Sequence, residues 1–320
     1  MKHARQRGIA LLVAIVMFAI ATTVAAAITY NKAMAARRAA ATFTLEQAVQ
    51  AGMAAESFAA IVLQDNGNKN RTQINDPWAE PFGPVEIEGT GVWIQAQLED
   101  LSGRFNLNSL VSLQPGPQPN TYKADPHQVQ VFQEILRSLD IDLRYADLLV
   151  DWIDPDSQPE PQGGEDTMYL SQMPAYRPPN SFITHTSELL ALPGFGPENY
   201  AKIAPLVTAL PNTELVNTCT ASGLVLDATA NDPQGNVAYR NEDPKKAREK
   251  GCWPINSEFI NGIIDANAKT AAQSRVSEKS SWFRLRTNIR IGTAEFVLYS
   301  VLFREPNNRV RTMQRSFGSE

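Results

Sequence analysis

The chain has 320 residues, 43% hydrophobic and 20% charged, an ordinary globular composition with room for one large domain or two modest ones. Its net charge is −5, and −8 without Lys2, Arg5 and Arg7 of the first eight residues, which excludes a general electrostatic grip on nucleic acid. Two cysteines exclude a disulfide-built scaffold and leave two readings, one Cys219–Cys252 bridge in an oxidising compartment or two free buried thiols.

The stub MKHARQRG is followed from Ile9 by 23 residues without a charge, ending before Lys32. As a helix that run spans about 35 Å, enough to cross a bilayer core, and the basic stub before it sets a cytoplasmic N-terminus. A cleavable signal ending near TVAAAI is one reading. Against it, helical character continues past the apolar run, with no Pro or Gly before Gly52 and with Phe43, Gln47, Gln50 and Ala54 near helical spacing. The pattern predicts one helix from about residue 9 to about residue 64, apolar all round in its first half and amphipathic in its second.

Beyond the helix, Val92, Ile94, Ala96 and Leu98 alternate with Trp93, Gln95, Gln97 and Glu99, a half-buried strand entered through the EGTG turn. Near the C-terminal end, Phe283, Leu285, Thr287, Ile289 and Ile291 alternate with Arg284, Arg286, Asn288 and Arg290. A turn at Gly292-Thr293 leads into a second strand with Phe296, Leu298 and Leu302 on one face. Between these strands the period is helical. QVQVFQEILRSL puts Val129, Phe132, Ile135, Leu136 and Leu139 on one face, RYADLLVDWID continues the style, and SELLALPGFGPENYAKI holds two short helices about a Pro-Gly turn. A helical block of about 100 residues therefore interrupts a sheet-forming chain.

Asp151, Asp154, Asp156, Glu160, Glu165 and Asp166 lie within 16 residues broken by prolines and glycines. Such a run is either a solvated acidic loop or a source of the six to eight oxygens a hard cation takes. It is not an EF-hand, because counting Asp154 as the first position puts Pro159 at the sixth, where a glycine is required. LPGFGPENYAKI resembles the helix-hairpin-helix turn of DNA binders, but Lys202 is essentially its only cation, so it reads as a tight structural turn. Histidines 3, 127 and 185 have no partners at zinc-ligand spacing, and no G-x-S-x-G, H-E-x-x-H or phosphate-binding loop occurs. The chain reads as non-enzymatic.

The basic leader ending in Gly8, the apolar run starting at Ile9 and the long continuous helix resemble the type IV pilin class. That resemblance implies cleavage after Gly8 by a prepilin peptidase, with Ile9 as the methylated mature N-terminus. The stretches LEDLSGRFNLNSLV, LLVDWIDPD, GGEDTMYL, ELLALPGFGPENYAKIAPLVTALP and ELVNTCTA are similar to the K subunit among the minor pseudopilins of the type II secretion system. Most of the class carries glutamate at the fifth mature position; this family typically lacks it, and here Val13 stands there.

The resemblance implies an α+β, pilin-like fold, a long N-terminal helix on an antiparallel sheet with an inserted α-helical domain. The expected division is leader 1–8, transmembrane half-helix 9–31, pilin-like part 32–110, helical insert 111–212 and second pilin-like part 213–320. It further implies an inner-membrane, single-pass chain with its body in the periplasm, structural Ca²⁺ in the acidic loop, and a place at the pseudopilus tip. Expected partners are the I and J minor pseudopilins, with the H minor and major pseudopilins below, and secreted substrate or the outer-membrane secretin beyond. Two rivals stand beside it, a minor pilin of a type IV pilus or competence system and a signal-anchored periplasmic enzyme or binding protein.

Overall fold

A computed structural model describes residues 7–67, 70–113, 122–211, 214–232, 238–241, 247–249 and 251–318. Helix α1 runs unbroken over Arg7–Gly67, 61 residues and therefore about 90 Å long. Its first half makes almost no contact with the rest of the chain: Ile9 is 67% and Phe18 71% exposed. From Ala48 onward the helix lies on a sheet through Ala48, Ala51, Ala55, Ala59 and Leu63, all buried.

The buried stripe differs from the one expected. Phe43 is 62% exposed and Gln50 and Ala54 face solvent, because the sheet selects the small side chains that let the helix axis approach it. Gly52 marks a close approach, since a Cβ there would stand 2.4 Å from Leu298 Cδ2.

The sheet has five antiparallel strands in the order β1 (Phe82–Ile87), β2 (Val92–Asp100), β9 (Trp282–Ile291), β10 (Ala294–Arg304) and β11 (Val310–Phe317). Register pairs Ile94 with Ile289 and Leu98 with Leu285, and with Leu298 and Leu302 these side chains form the face beneath α1. The predicted alternation on β2, β9 and β10 is the observed one. Strand β11 was not expected: VRTMQRSF does not alternate, because it is an edge strand exposed on most of its length.

Between β2 and β9 the chain makes a second, helical layer. It leaves through β3 (Phe105–Asn106) and returns through β6 (Val207–Thr208), which pair side by side in parallel. Two buried asparagines hold this junction: Asn106 donates to Pro211 C=O (2.7 Å), and Asn108 donates to the carbonyls of Ile183 and Leu210 (2.9 Å each). A two-stranded pair, β4 (Val111–Leu113) with β5 (Tyr122–Ala124), leads into α2 (Pro126–Ser138). Asp125 caps α2 by accepting from the amides of His127 and Gln128, and Pro126 fits the first turn.

Helices α2, α3 (Arg144–Ile153), α4 (Asp166–Leu170) and α5 (Gly196–Ile203) close around Phe105, Phe132, Leu136, Leu149, Tyr169 and Phe195. A third cluster gathers β7 (Val216–Asn217), paired in parallel with β8 (Val276–Ser277), α6 (Gly223–Ala230), α7 (Asn256–Gly262) and α8 (Ala266–Gln273) around Phe259 and Leu226.

Cys219 and Cys252 form a disulfide, with 4.5 Å between their Cα atoms across a separation of 33 residues. A loop of that length restricts the unfolded chain by about 3–4 kcal/mol. Changing both cysteines to serine should therefore lower the guanidinium midpoint, and reduced wild type should unfold at the variant's midpoint. Equal midpoints for oxidised wild type and the variant would refute this.

Candidate functional site

The acidic run occupies the turn between α3 and α4. Helix α3 stops at Asp154 because Pro155 disfavours a helical preceding residue, and Asp154 is extended (φ −72°, ψ 152°) while its N–H still donates to Val150 C=O. The twelve-residue return is folded by carboxylates one helical turn apart. Asp151, fully buried, accepts from the amides of Glu160 (2.9 Å) and Gly164 (2.6 Å), and Asp147 accepts from the amide of Gln162 (3.0 Å). Gly163 is required by this fold, since a Cβ there would stand 1.9 Å from Asp151 Oδ2.

The folded loop brings one carboxylate oxygen each of Asp154, Asp156 and Glu165 within 4.8 Å of one another. Asp156 also accepts from its own loop amide, Gln158 N–H (2.9 Å). Asp154 Oδ1, Glu165 Oε1 and Asn180 Oδ1 are all buried without a hydrogen-bond partner among the described residues. Asn180 and Glu165 line the same cavity of about 640 Å³, and Asn180 Nδ2 donates to the Asp156 carbonyl (3.1 Å).

Burial, then repulsion by Asp156, Asp151, Glu165 and Glu160, pushes Asp154 up to about 7. Burial, with Asp151, Asp156 and Asp166, lifts Glu165 to about 7. Asp151 rises only to about 6, because the two amides it accepts from oppose its burial. Buried oxygens left unpaired and carboxylates forced toward neutrality are what a bound cation would correct, so this group could hold a metal. An all-oxygen donor set selects a hard cation.

Of the six predicted acids, three converge. Asp151 shapes the loop, Glu160 stands outside the converging group, and Asp166 is paired with Arg177 (2.9 Å). Sequence reasoning missed Asp147, Gly163 and Asn180. Asp147 carried a signal, a carboxylate one helical turn before Asp151; Asn180, far along the chain, carried none. Gly8 and Ile9 lie in the first turns of α1. Among the described residues α1 is the helix long and apolar enough to cross a membrane.

A family model described as type II secretion system protein K matches residues 103–212, which include the acidic loop. The type II secretion system protein K of Pseudomonas aeruginosa is 30% identical over 98% of this chain and 93% of its own length. The chain belongs to the type II secretion system protein K family. The protein K of Pectobacterium carotovorum is 27% identical over 99% of this chain and 98% of its own. Among solved structures, a chain of the GspK-GspI-GspJ complex from enterotoxigenic Escherichia coli matches with a TM-score of 0.75 at 24% identity, covering 88% of this chain and all of that one.

Protein K chains are minor pseudopilins, structural components of the secretion system and not enzymes. The long helix on a five-stranded antiparallel sheet with an added helical layer is the fold of the protein K structure. The apolar half of α1 is consistent with a membrane anchor, as expected of an inner-membrane and periplasmic protein K.

Proposed function

We propose that this minor pseudopilin is made as a prepilin, cut after Gly8, and works at the tip of the periplasmic pseudopilus in a complex with the I and J minor pseudopilins. The observation that carries the reading is the likeness over 88% of the chain to a structure of a K–I–J complex. Val13 supports the tip position. A glutamate at the fifth mature position serves the N-terminal amine of the subunit above, and a topmost subunit has none above it. The helical layer adds bulk that a subunit at the top can carry without displacing a neighbour.

The acidic loop holds Ca²⁺ in this reading, through Asp154, Asp156 and Glu165 with the Asn180 oxygen beside them. The ion supplies structure and no chemistry: it offsets the mutual repulsion of the carboxylates and fixes the return from α3 to α4.

Two measurements test the assembly reading. Sequencing the mature protein should give Ile9 at the N-terminus; Met1, or a start near Ile28, would sink it. Co-expression with I and J pseudopilins should yield a complex on size-exclusion chromatography, and failure to co-purify with both would refute the tip assignment.

A further inference from the structure

We propose that Lys32, Arg37 and Arg38 form a cationic belt around α1 that binds the headgroups of anionic phospholipids on the periplasmic side of the membrane and so fixes how deep the helix sits. The proposal rests on the reading of residues 9–31 as the anchor with the body in the periplasm. It needs neither the cut after Gly8 nor the tip position.

Helix α1 carries these side chains to a membrane surface. Residues 9–31 are uncharged, and every one of them is exposed on the helix. The hydroxyls of Thr22, Thr23 and Thr29 donate to the carbonyls of Ala19, Ile20 and Ala25 (2.9, 2.8 and 2.8 Å), so they leave no free donor facing hydrocarbon. Tyr30, 67% exposed, closes the run, and an amphipathic ring of this kind sits at headgroup level. The helix passes this point unbroken, so the three cations follow within about 12 Å of Tyr30 along the axis. Helical side chains tilt toward the N-terminus, which here is back toward the bilayer. The packed body starts only at Ala48, about 15 Å beyond Arg38.

The charge is of one sign. Between Ile9 and Glu46 the helix has these three cations and no acid. All three are exposed, and none makes an ion pair among the described residues. At about 100° per residue, Arg37 and Arg38 stand about 140° and 240° around the axis from Lys32. They circle the helix instead of lining one face. A protein groove would engage such a belt in part, whereas surrounding headgroups engage all of it. Cations beyond the anchor also oppose the orientation that the basic stub favours, three against the three of Lys2, Arg5 and Arg7. A negative lipid surface offsets that cost, because it attracts each juxtamembrane cation. The belt acts mainly in one direction: sliding inward would drag the cations into hydrocarbon, which costs more than sliding outward into water.

The test is the lipid selectivity of the full chain in phosphatidylcholine vesicles, read by electron spin resonance of spin-labelled phosphatidylglycerol and phosphatidylcholine. All samples carry Lys2→Gln, Arg5→Gln and Arg7→Gln, which leaves the belt as the basic side chains flanking the span. Phosphatidylglycerol should be preferred about threefold at low salt, and less in 1 M salt, where the screening length is about 3 Å. Lys32→Gln, Arg37→Gln and Arg38→Gln together should abolish the preference. Arg37→Lys with Arg38→Lys should keep it, because charge carries the effect. Circular dichroism should show the same fold in each, since the positions are exposed and lie outside the packed body. Equal association of the two lipids with the parent chain would overturn the proposal. So would a preference that survives loss of all three cations, and if that variant no longer co-purified with the I and J pseudopilins, the belt would belong to a protein partner. Carbonate extraction separates the two readings: chain released from the vesicles would remove anchor and belt together, and chain retained without selectivity would remove the belt alone.

Discussion

Adding calcium to the chelated protein at pH 8 should raise its melting temperature by about 5–10 °C at a hundredfold excess over the dissociation constant. The increment arises because the ion binds the folded loop alone, where Asp154, Asp156 and Glu165 converge. Asp154→Asn should abolish it. The same variant, free of metal, should be at least as stable as chelated wild type at that pH, since one of the repelling charges is gone.

The pH dependence without the ion follows from the raised carboxylates. Asp154 and Glu165 titrate near 7 in the folded chain against 3.8 and 4.5 as unperturbed groups. Folded protein therefore holds protons that unfolded chain has released, and their stabilising contribution is complete below about pH 4 and is lost as pH rises through 7. With calcium saturating, the fall in stability above about pH 5 should be shallower, and the calcium increment should vanish by about pH 5, where protonation competes with the ion. Melting curves that do not change with calcium or chelator from pH 5 to 8 would remove the site.

Arg304→Met should destabilise the pilin-like body by about 3–5 kcal/mol. Buried Arg304 on β10 donates to Leu63 C=O and Asn66 Oδ1 at the end of α1, to Thr72 Oγ1, and to Ser280 C=O just before β9. Its guanidinium also lies 5.3 Å from the centroid of Phe283. Burial lowers its pKa, and buried Asp100 and Asp76 act in the opposite direction. Methionine fills the volume but takes the guanidinium donor from all four acceptors, of which Thr72 Oγ1 keeps the Ser280 N–H. Arg304→Lys should recover only part of the loss, because an ammonium does not reproduce the planar fork. Urea unfolding monitored on the tryptophans reads the effect; a loss below about 1 kcal/mol would mean that water replaces the guanidinium.

Much of the fold was legible because its signals are local. The uncharged run from Ile9, the alternation on β2, β9 and β10, and the helical period of α2 and α3 each lie within one element, where side-chain direction follows from backbone geometry. The cysteines showed only that a bridge was available; the fold of 216–230 and 251–277 brings Cys219 and Cys252 together.

What was not legible depends on the partner an element meets. A helix with alanines on several sides does not announce which of them faces the sheet, and close approach chose Ala48, Ala51, Ala55 and Ala59 over the line through Phe43. Strand β11 has no alternation because, as an edge, it buries neither face fully.

The sequence by itself determined an α+β chain with a long apolar N-terminal helix, a helical layer and an acidic loop of six carboxylates. Only the tertiary structure decided which of those carboxylates share a centre. Asp151 turns to the loop amides and Asp166 to Arg177, while Asn180 arrives from another part of the layer to meet Asp156. Composition sets how much charge a segment carries. Where its oxygens converge depends on where the chain returns, and that is a long-range property of packing.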